Sequence, residues 1–256
     1  MPELFSYLLK VNAALVLFCL AYYLVLRKLT FYNLNRIFLL VGIVFSTLYP
    51  LVNLSLLFKE PESLIIPLSK VLPVMMATEV NAIDYWWFVK VVFWIGVLLM
   101  TIRMAIRLFS LYKIHQQSTP TQIGIYPVRL LKGNLNTFSF WKYIYLNSGQ
   151  HEPKAIAAIL EHEQVHVKEL HTLDILLAEL ATIFYWFNPG VWYMRKAVKE
   201  NVEFITDQQL LKKGVDRKAY QYSMLHVVTN LAPSVLMNNF NLTGIKRRVI
   251  YRFYCF

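Results

Sequence analysis

Residues 161–166 read Glu161-His162-Glu163-Gln164-Val165-His166. The two histidines are four apart, so on a helix their imidazoles leave one face a single turn from each other. That spacing lets two ring nitrogens reach one Zn²⁺ at ~2.0–2.1 Å. Glu163 adjoins the first histidine and is placed as general base for a metal-activated water. Zinc lowers the pKa of such a water to ~7, and the carboxylate takes its proton during attack on a peptide carbonyl. A catalytic zinc also needs a third protein ligand and one open position. Residues 199–207 offer Glu200, Glu203 and Asp207 on a predicted helix. Glu203 and Asp207 share a face, with Glu200 a turn before Glu203, so one acid can ligate while another orients a ligating imidazole from behind. Residue types alone do not separate Glu200 from Glu203.

The elements that must position these groups follow from patterning. Pro153 opens a helical stretch, and Ile156, Ile159, Leu160, Val165 and Leu170 bury the face around the histidine pair. Between the two halves of the site, residues 172–194 are apolar enough to suggest a membrane crossing, but they carry Asp174 and Glu179 and break at Asn188-Pro189-Gly190. A full crossing would put the halves of the metal site on opposite sides of a bilayer. The zinc reading therefore predicts a hairpin, buried against the domain or dipping into the inner leaflet. Upstream, residues 125–132 and 137–147 read as strands around a Gly133-Asn134 turn, preceded by a polar linker at 116–122.

The rest of the chain has a membrane protein's composition. Of 256 residues 57% are hydrophobic and 16% charged, against ~45–50% and ~25% in ordinary soluble domains. Two cysteines, Cys19 and Cys255, and eight glycines exclude disulfide-stapled and collagenous classes. Three segments, at about 4–26, 37–58 and 85–111, are long enough to span the ~20 apolar residues a bilayer needs. No small-residue cleavage site follows the first, so no cleavable signal is expected. The loop after the first span carries Arg27, Lys28 and Arg36 without an acid. The loop after the second is mildly acidic, and Arg103, Arg107 and Lys113 end the third. The positive-inside rule then puts the N-terminus outside and everything after about residue 112 on the cytoplasmic side of the membrane. Lys10 and Asn12 interrupt the first span, marking either a polar path or side chains that snorkel or face a neighbouring helix.

Secondary candidates surround the metal motif. Strand residues Phe138, Ser139 and Phe140 can offer an edge to an extended substrate, or pack the domain on the membrane surface. Tyr220, Tyr222 and His226 are candidate oxyanion donors, although tyrosines are abundant here and commonly just pack. His171 and Asp174, one and two turns past His166, can stand behind the ligands, and an acid in an apolar run needs a partner. Lys246, Arg247, Arg248 and Arg252 suit a membrane surface, whereas nucleic-acid binding has no recognised motif behind it.

Together, the 159–166 run, Trp186-Phe187-Asn188-Pro189-Gly190-Val191-Trp192 and Glu203-Phe204-Ile205-Thr206-Asp207 resemble the zinc metalloprotease domain of the BlaR/MecR antibiotic-sensor transducers. The resemblance covers the N-terminal helices and about residues 120–250. It implies a mainly α membrane protein: three transmembrane helices (1–115) joined to a gluzincin-like α+β metalloprotease domain with a small β-hairpin or sheet (116–256). It also implies Zn²⁺ held by His162, His166 and Glu203, Glu163 as base, and Asp207 behind a ligand histidine. The expected partners are the lipid bilayer and a protein substrate, a cytoplasmic repressor or the chain itself. A homodimer is admitted, and no direct nucleic-acid contact is expected. Many relatives continue into a further membrane helix and a periplasmic domain, while this sequence stops at Tyr254-Cys255-Phe256. It is thus expected either to be truncated or to sense through its bundle or a partner, and a beta-lactam stimulus is not supported. The competing readings are a constitutive quality-control protease of the HtpX kind and a catalytically silent sensor scaffold.

Overall fold

A computed structural model describes residues 3–52, 85–131, 135–147, 149 and 153–214. Three long apolar helices come first: α1 (Glu3–Leu24), α2 (Tyr32–Leu48) and α3 (Tyr85–Gln117). Each is long and apolar enough to cross a membrane. The second starts five residues earlier than its apolar run suggests, because Tyr32, Asn33, Asn35 and Arg36 form its polar first turns. At 1.5 Å per residue α3 measures about 50 Å, well beyond a ~30 Å hydrocarbon core. Its surplus turns rise beside a small sheet, where His115 Nδ1 meets Tyr145 Oη at 2.8 Å and Arg129 donates to the His115 carbonyl at 2.9 Å.

The sheet has four strands, β1 (Thr119–Ile123), β2 (Tyr126–Leu130), β3 (Phe138–Phe140) and β4 (Tyr143–Leu146), in the order β1-β2-β4-β3. It corrects the sequence reading in three ways. The supposed linker at 116–122 is the end of α3 followed directly by β1, an edge strand with Thr119 and Gln122 exposed and with Pro120 tolerated at an edge. The supposed single strand at 137–147 breaks into β3 and β4 at Trp141-Lys142, where Trp141 takes φ 55°, a turn conformation no alternation pattern announces. And the two stretches do not form a hairpin about Gly133-Asn134, which lies outside the described residues: β2 runs parallel to β4, while its antiparallel partner is β1. Val128, Ile144 and Leu146 pack the sheet on Leu160 of α4 (Pro153–Lys168).

The last two described helices are α5 (His171–Phe184) and α6 (Pro189–Lys212). Asn188 caps α6 by accepting from the Gly190 N–H at 2.7 Å, and Pro189 sits in the first turn, where its missing N–H costs nothing. The pair forms a hairpin buried against α1 and α2. Near its tip, the Tyr185 hydroxyl lies 3.4 Å from both the Tyr7 hydroxyl and Thr47 Oγ1, at the ends of α1 and α2 remote from their connecting turn. Asn188 Nδ2 donates to Asn12 Oδ1 at 2.6 Å. Asn12 thus faces a neighbouring helix and spares both amides an unpaired position in an apolar bundle.

One core is common to spans and hairpin. Val11, Leu15, Cys19 and Tyr22 of α1 recur at helical spacing and meet Leu39 and Ile43 of α2, Ala178 and Ala181 of α5, and Val191, Met194, Ala197 and Val198 of α6. Between helices in lipid the driving force is close packing rather than escape from water. Small residues serve that packing: Gly96 of α3 lies against the Trp186 ring, and Gly190 against the Val16 backbone.

Candidate metal centre

His162 and His166 project from the same face of α4, and α6 brings Glu203 opposite them. The two Nε2 atoms are 3.2 Å apart. Glu203 places Oε2 3.6 Å from His162 Nε2 and Oε1 3.8 Å from His166 Nε2. These three side chains form the one group of three or more metal-ligand residues among the described residues, with donor atoms all within 4.8 Å of one another. Tetrahedral ligands on a zinc at ~2.0–2.1 Å stand about 3.3 Å apart, so the donor set fits the ion in chemistry and spacing, with a fourth position left for water or substrate. All three are half-buried, as a centre open to substrate requires.

Glu200 goes elsewhere: its carboxylate lies 3.9 Å from Arg27, at the turn between α1 and α2. Asp207 is wholly buried one turn beyond Glu203. Glu163, beside His162, is half-buried and makes no hydrogen bond or ion pair with another described residue.

His171 lies directly behind the ligands, its Nδ1 2.9 Å from His166 Nδ1. If His166 presents the Nε2 lone pair to a metal, its Nδ1 carries the hydrogen and donates to His171 Nδ1, which fixes the ring. His171 must then be neutral. Burial, reinforced by the neighbouring His166 and Arg36, pushes its pKa down to about 3, so it is neutral across the working range. Thr206 Oγ1, 3.5 Å from His166 Nε2, is a neighbour that the sequence reading did not single out, although it sits three residues after Glu203 on the same helix face.

The backbone between α4 and α5 is held from the bundle. Leu170 adopts φ 54°, a left-handed conformation unfavourable for a residue with a Cβ. Arg36 of α2 spans this kink: Nη2 donates to the Glu169 carbonyl at 2.8 Å, Nη1 to Glu169 Oε2 at 3.2 Å, and Nε pairs with Asp174 Oδ2 at 2.8 Å. Asp174 has therefore found its partner in α2. Burial raises its pKa, opposed by the Arg36 guanidinium. Gln209 Nε2 donates to Glu169 Oε1 at 2.9 Å, tying α6 to the same knot.

Phe138, Ser139 and Phe140 form β3, at the edge of the sheet, paired on one side by β4. The β3–β4 turn is anchored beside the kink, where the Trp141 N–H donates to Thr172 Oγ1 at 3.0 Å. Tyr220, Tyr222, His226 and the basic stretch at 246–252 lie outside the described residues.

Comparison with known proteins accords with this architecture. Residues 121–251 match the family model described as BlaR1 peptidase M56. A 62-residue stretch is 39% identical to the "Regulatory protein BlaR1" of Bacillus licheniformis, covering 24% of this chain and 10% of that protein. The match to the family model spans more than half the chain and takes in both halves of the donor set, while the three apolar helices make the molecule membrane-associated. The chain belongs to the BlaR1 peptidase M56 family.

Proposed function

We propose that this chain is a zinc endopeptidase of a bacterial inner-membrane signalling system, and that it cleaves a cytoplasmic repressor, itself, or both. The observation that carries the reading is the convergence of His162 and His166 on α4 with Glu203 on α6, the helices being separated in sequence by α5. His162, His166 and Glu203 would hold the ion. A zinc held there would supply Lewis acidity toward a peptide carbonyl and lower the pKa of a water. Glu163 then takes a proton from the water as its oxygen attacks the carbonyl carbon, and returns it to the leaving amine as the C–N bond breaks. His171 keeps His166 in the ligating tautomer, and Asp207 supports the ligand face from the interior. The side of β3 that has no strand partner among the described residues suits an extended substrate added as a strand, since main-chain hydrogen bonds bind it with little regard to sequence.

The distribution of charge supports the orientation. Arg27, Lys28 and Arg36 flank the α1–α2 turn at the end of the bundle where Glu200 and Asp174 also lie. The metal centre is at that same end, which the positive-inside rule assigns to the cytoplasm.

The test is Glu163→Ala in the full chain. The expected result is metal content equal to wild type with cleavage reduced by about 10²–10⁴-fold. Substrates held by that variant distinguish the protease readings: one repressor or the chain itself supports a transducer, and an assortment of misfolded membrane proteins supports quality control. Signalling untouched by the substitution would make the molecule a silent scaffold.

A further inference from the structure

A second polar cluster sits between α3 and the hairpin, away from the metal centre. Glu179 of α5 is buried there. Lys199 Nζ reaches its Oε1 at 2.7 Å and Arg195 Nη1 its Oε2 at 2.9 Å, so both oxygens are served by α6. Two more guanidiniums arrive from α3 beyond what this acid requires. Arg107 Nη1 stands 3.5 Å from the already paired Oε2, and Arg103 has no ion pair among the described residues, resting 6.0 Å over the Trp192 ring. Arg195 covers the same ring at 4.7 Å. Three cations thus meet one carboxylate, and Arg103 lines the same cleft.

Arg103, Arg107 and Arg195, with Glu179, line an open cleft between α3 and the hairpin. Arg103 and Arg107 are four residues apart, so they project from one face of α3 and can both donate to a single tetrahedral oxyanion. The rest of the lining is Met100, Met104, Ile183 and Trp192, with Thr182 turned to the Ala178 carbonyl of its own helix. Met100 lies nearly one turn before Arg103, toward the start of α3, and the neighbouring Leu98, Leu99 and Ile102 are exposed on a helix apolar enough to lie in lipid.

We propose that this cleft binds the phosphate of an anionic phospholipid between Arg103, Arg107 and Arg195, with the acyl chains along the Met100 flank of α3. Charge decides the ligand: Arg103, Arg107 and Arg195 against Glu179 leave the cleft lining an excess of two positive charges, which selects a net-negative headgroup over a zwitterionic one. Geometry decides the source, because the phosphate subsite opens onto an apolar helix face that a free anion would leave uncovered. The bound lipid bridges α3 to α5 and α6, joining the third span to the helix that carries Glu203. Neither the identity of the metal nor peptidase activity enters this assignment.

The test uses the purified full chain, with phospholipid extracted after detergent exchange and identified by mass spectrometry. Wild type is expected to retain phosphatidylglycerol in preference to phosphatidylcholine. Arg103→Gln with Arg107→Gln leaves Glu179 its two α6 partners and should weaken retention by about thirty-fold, the combined effect of two charges near an anionic surface. Met104→Trp, which fills the cleft without removing a charge, should produce the same loss. Unchanged phosphatidylglycerol content in either variant, or equal retention of phosphatidylcholine by wild type, overturns the proposal. So does thermal stabilisation of wild type by inorganic phosphate alone that matches the effect of the lipid, because the cleft would then be a free-anion site.

Discussion

Glu200 and Glu203 stand nearly one turn apart on α6, yet their carboxylates meet different partners: Arg27 at 3.9 Å for the first, the paired imidazoles at 3.6 and 3.8 Å for the second. Glu203→Ala should therefore abolish stoichiometric zinc binding, measured by metal analysis after dialysis. Glu200→Ala should leave zinc content intact and cost less than about 1 kcal/mol of stability, since so long and partly exposed an ion pair contributes little. Equal metal loss in both variants would count against the assigned ligand. The histidine pair is readable from sequence because both members ride one helix, where four residues fix their geometry. The choice of acid is not, because it depends on how α6 is rotated against α4. His171 illustrates the same limit: its place after His166 is visible, but its ring reaches Nδ1 only because the chain kinks at Leu170.

That kink is where one element governs another. α4 carries two ligands, α5 descends into the bundle, and Arg36 of α2 clamps the junction through the Glu169 carbonyl, the Glu169 side chain and Asp174. Arg36→Ala would leave the buried Asp174 carboxylate without its counter-ion and should destabilise the fold by about 3 kcal/mol. Differential scanning calorimetry in detergent reads this as a lowered midpoint. Asp174→Asn, which removes the stranded charge, should recover much of it in the Arg36→Ala background; a double variant as unstable as the single would mean that the clamp acts through Glu169 alone. The strands show what periodicity misses at this scale. β1 was hidden because an edge strand needs no apolar alternation, and the β3–β4 turn because Trp141 enters the left-handed region without a glycine to signal it.

At the scale of the whole molecule, spans and hairpin are one packed body, since a single core draws on α1, α2, α5 and α6. The third span joins it through Gly96, whose lack of a side chain admits the Trp186 ring. Any Cβ there would clash with that ring, so Gly96→Leu should separate α3 from the hairpin tip. The expected readout is faster proteolysis in detergent together with a lowered thermal midpoint; an unaltered digestion pattern would show that the contact contributes nothing to assembly.

The sequence by itself determined the three apolar spans, the basic end of the bundle, the paired histidines with their glutamate, and the need for the intervening apolar stretch to turn back. Each of these is local, resting on helix length, charge content or a four-residue spacing. Only the tertiary structure decided that Glu203 meets the imidazoles while Glu200 meets Arg27, and that Asp174 belongs to Arg36. It also decided that the hairpin tip reaches Tyr7 and Asn12. The physical reason is common to all of them. Which side chains meet across helices depends on rotation and depth, which are set by the fit of small residues against large ones and by the pairing of every buried polar group. No single segment carries that information.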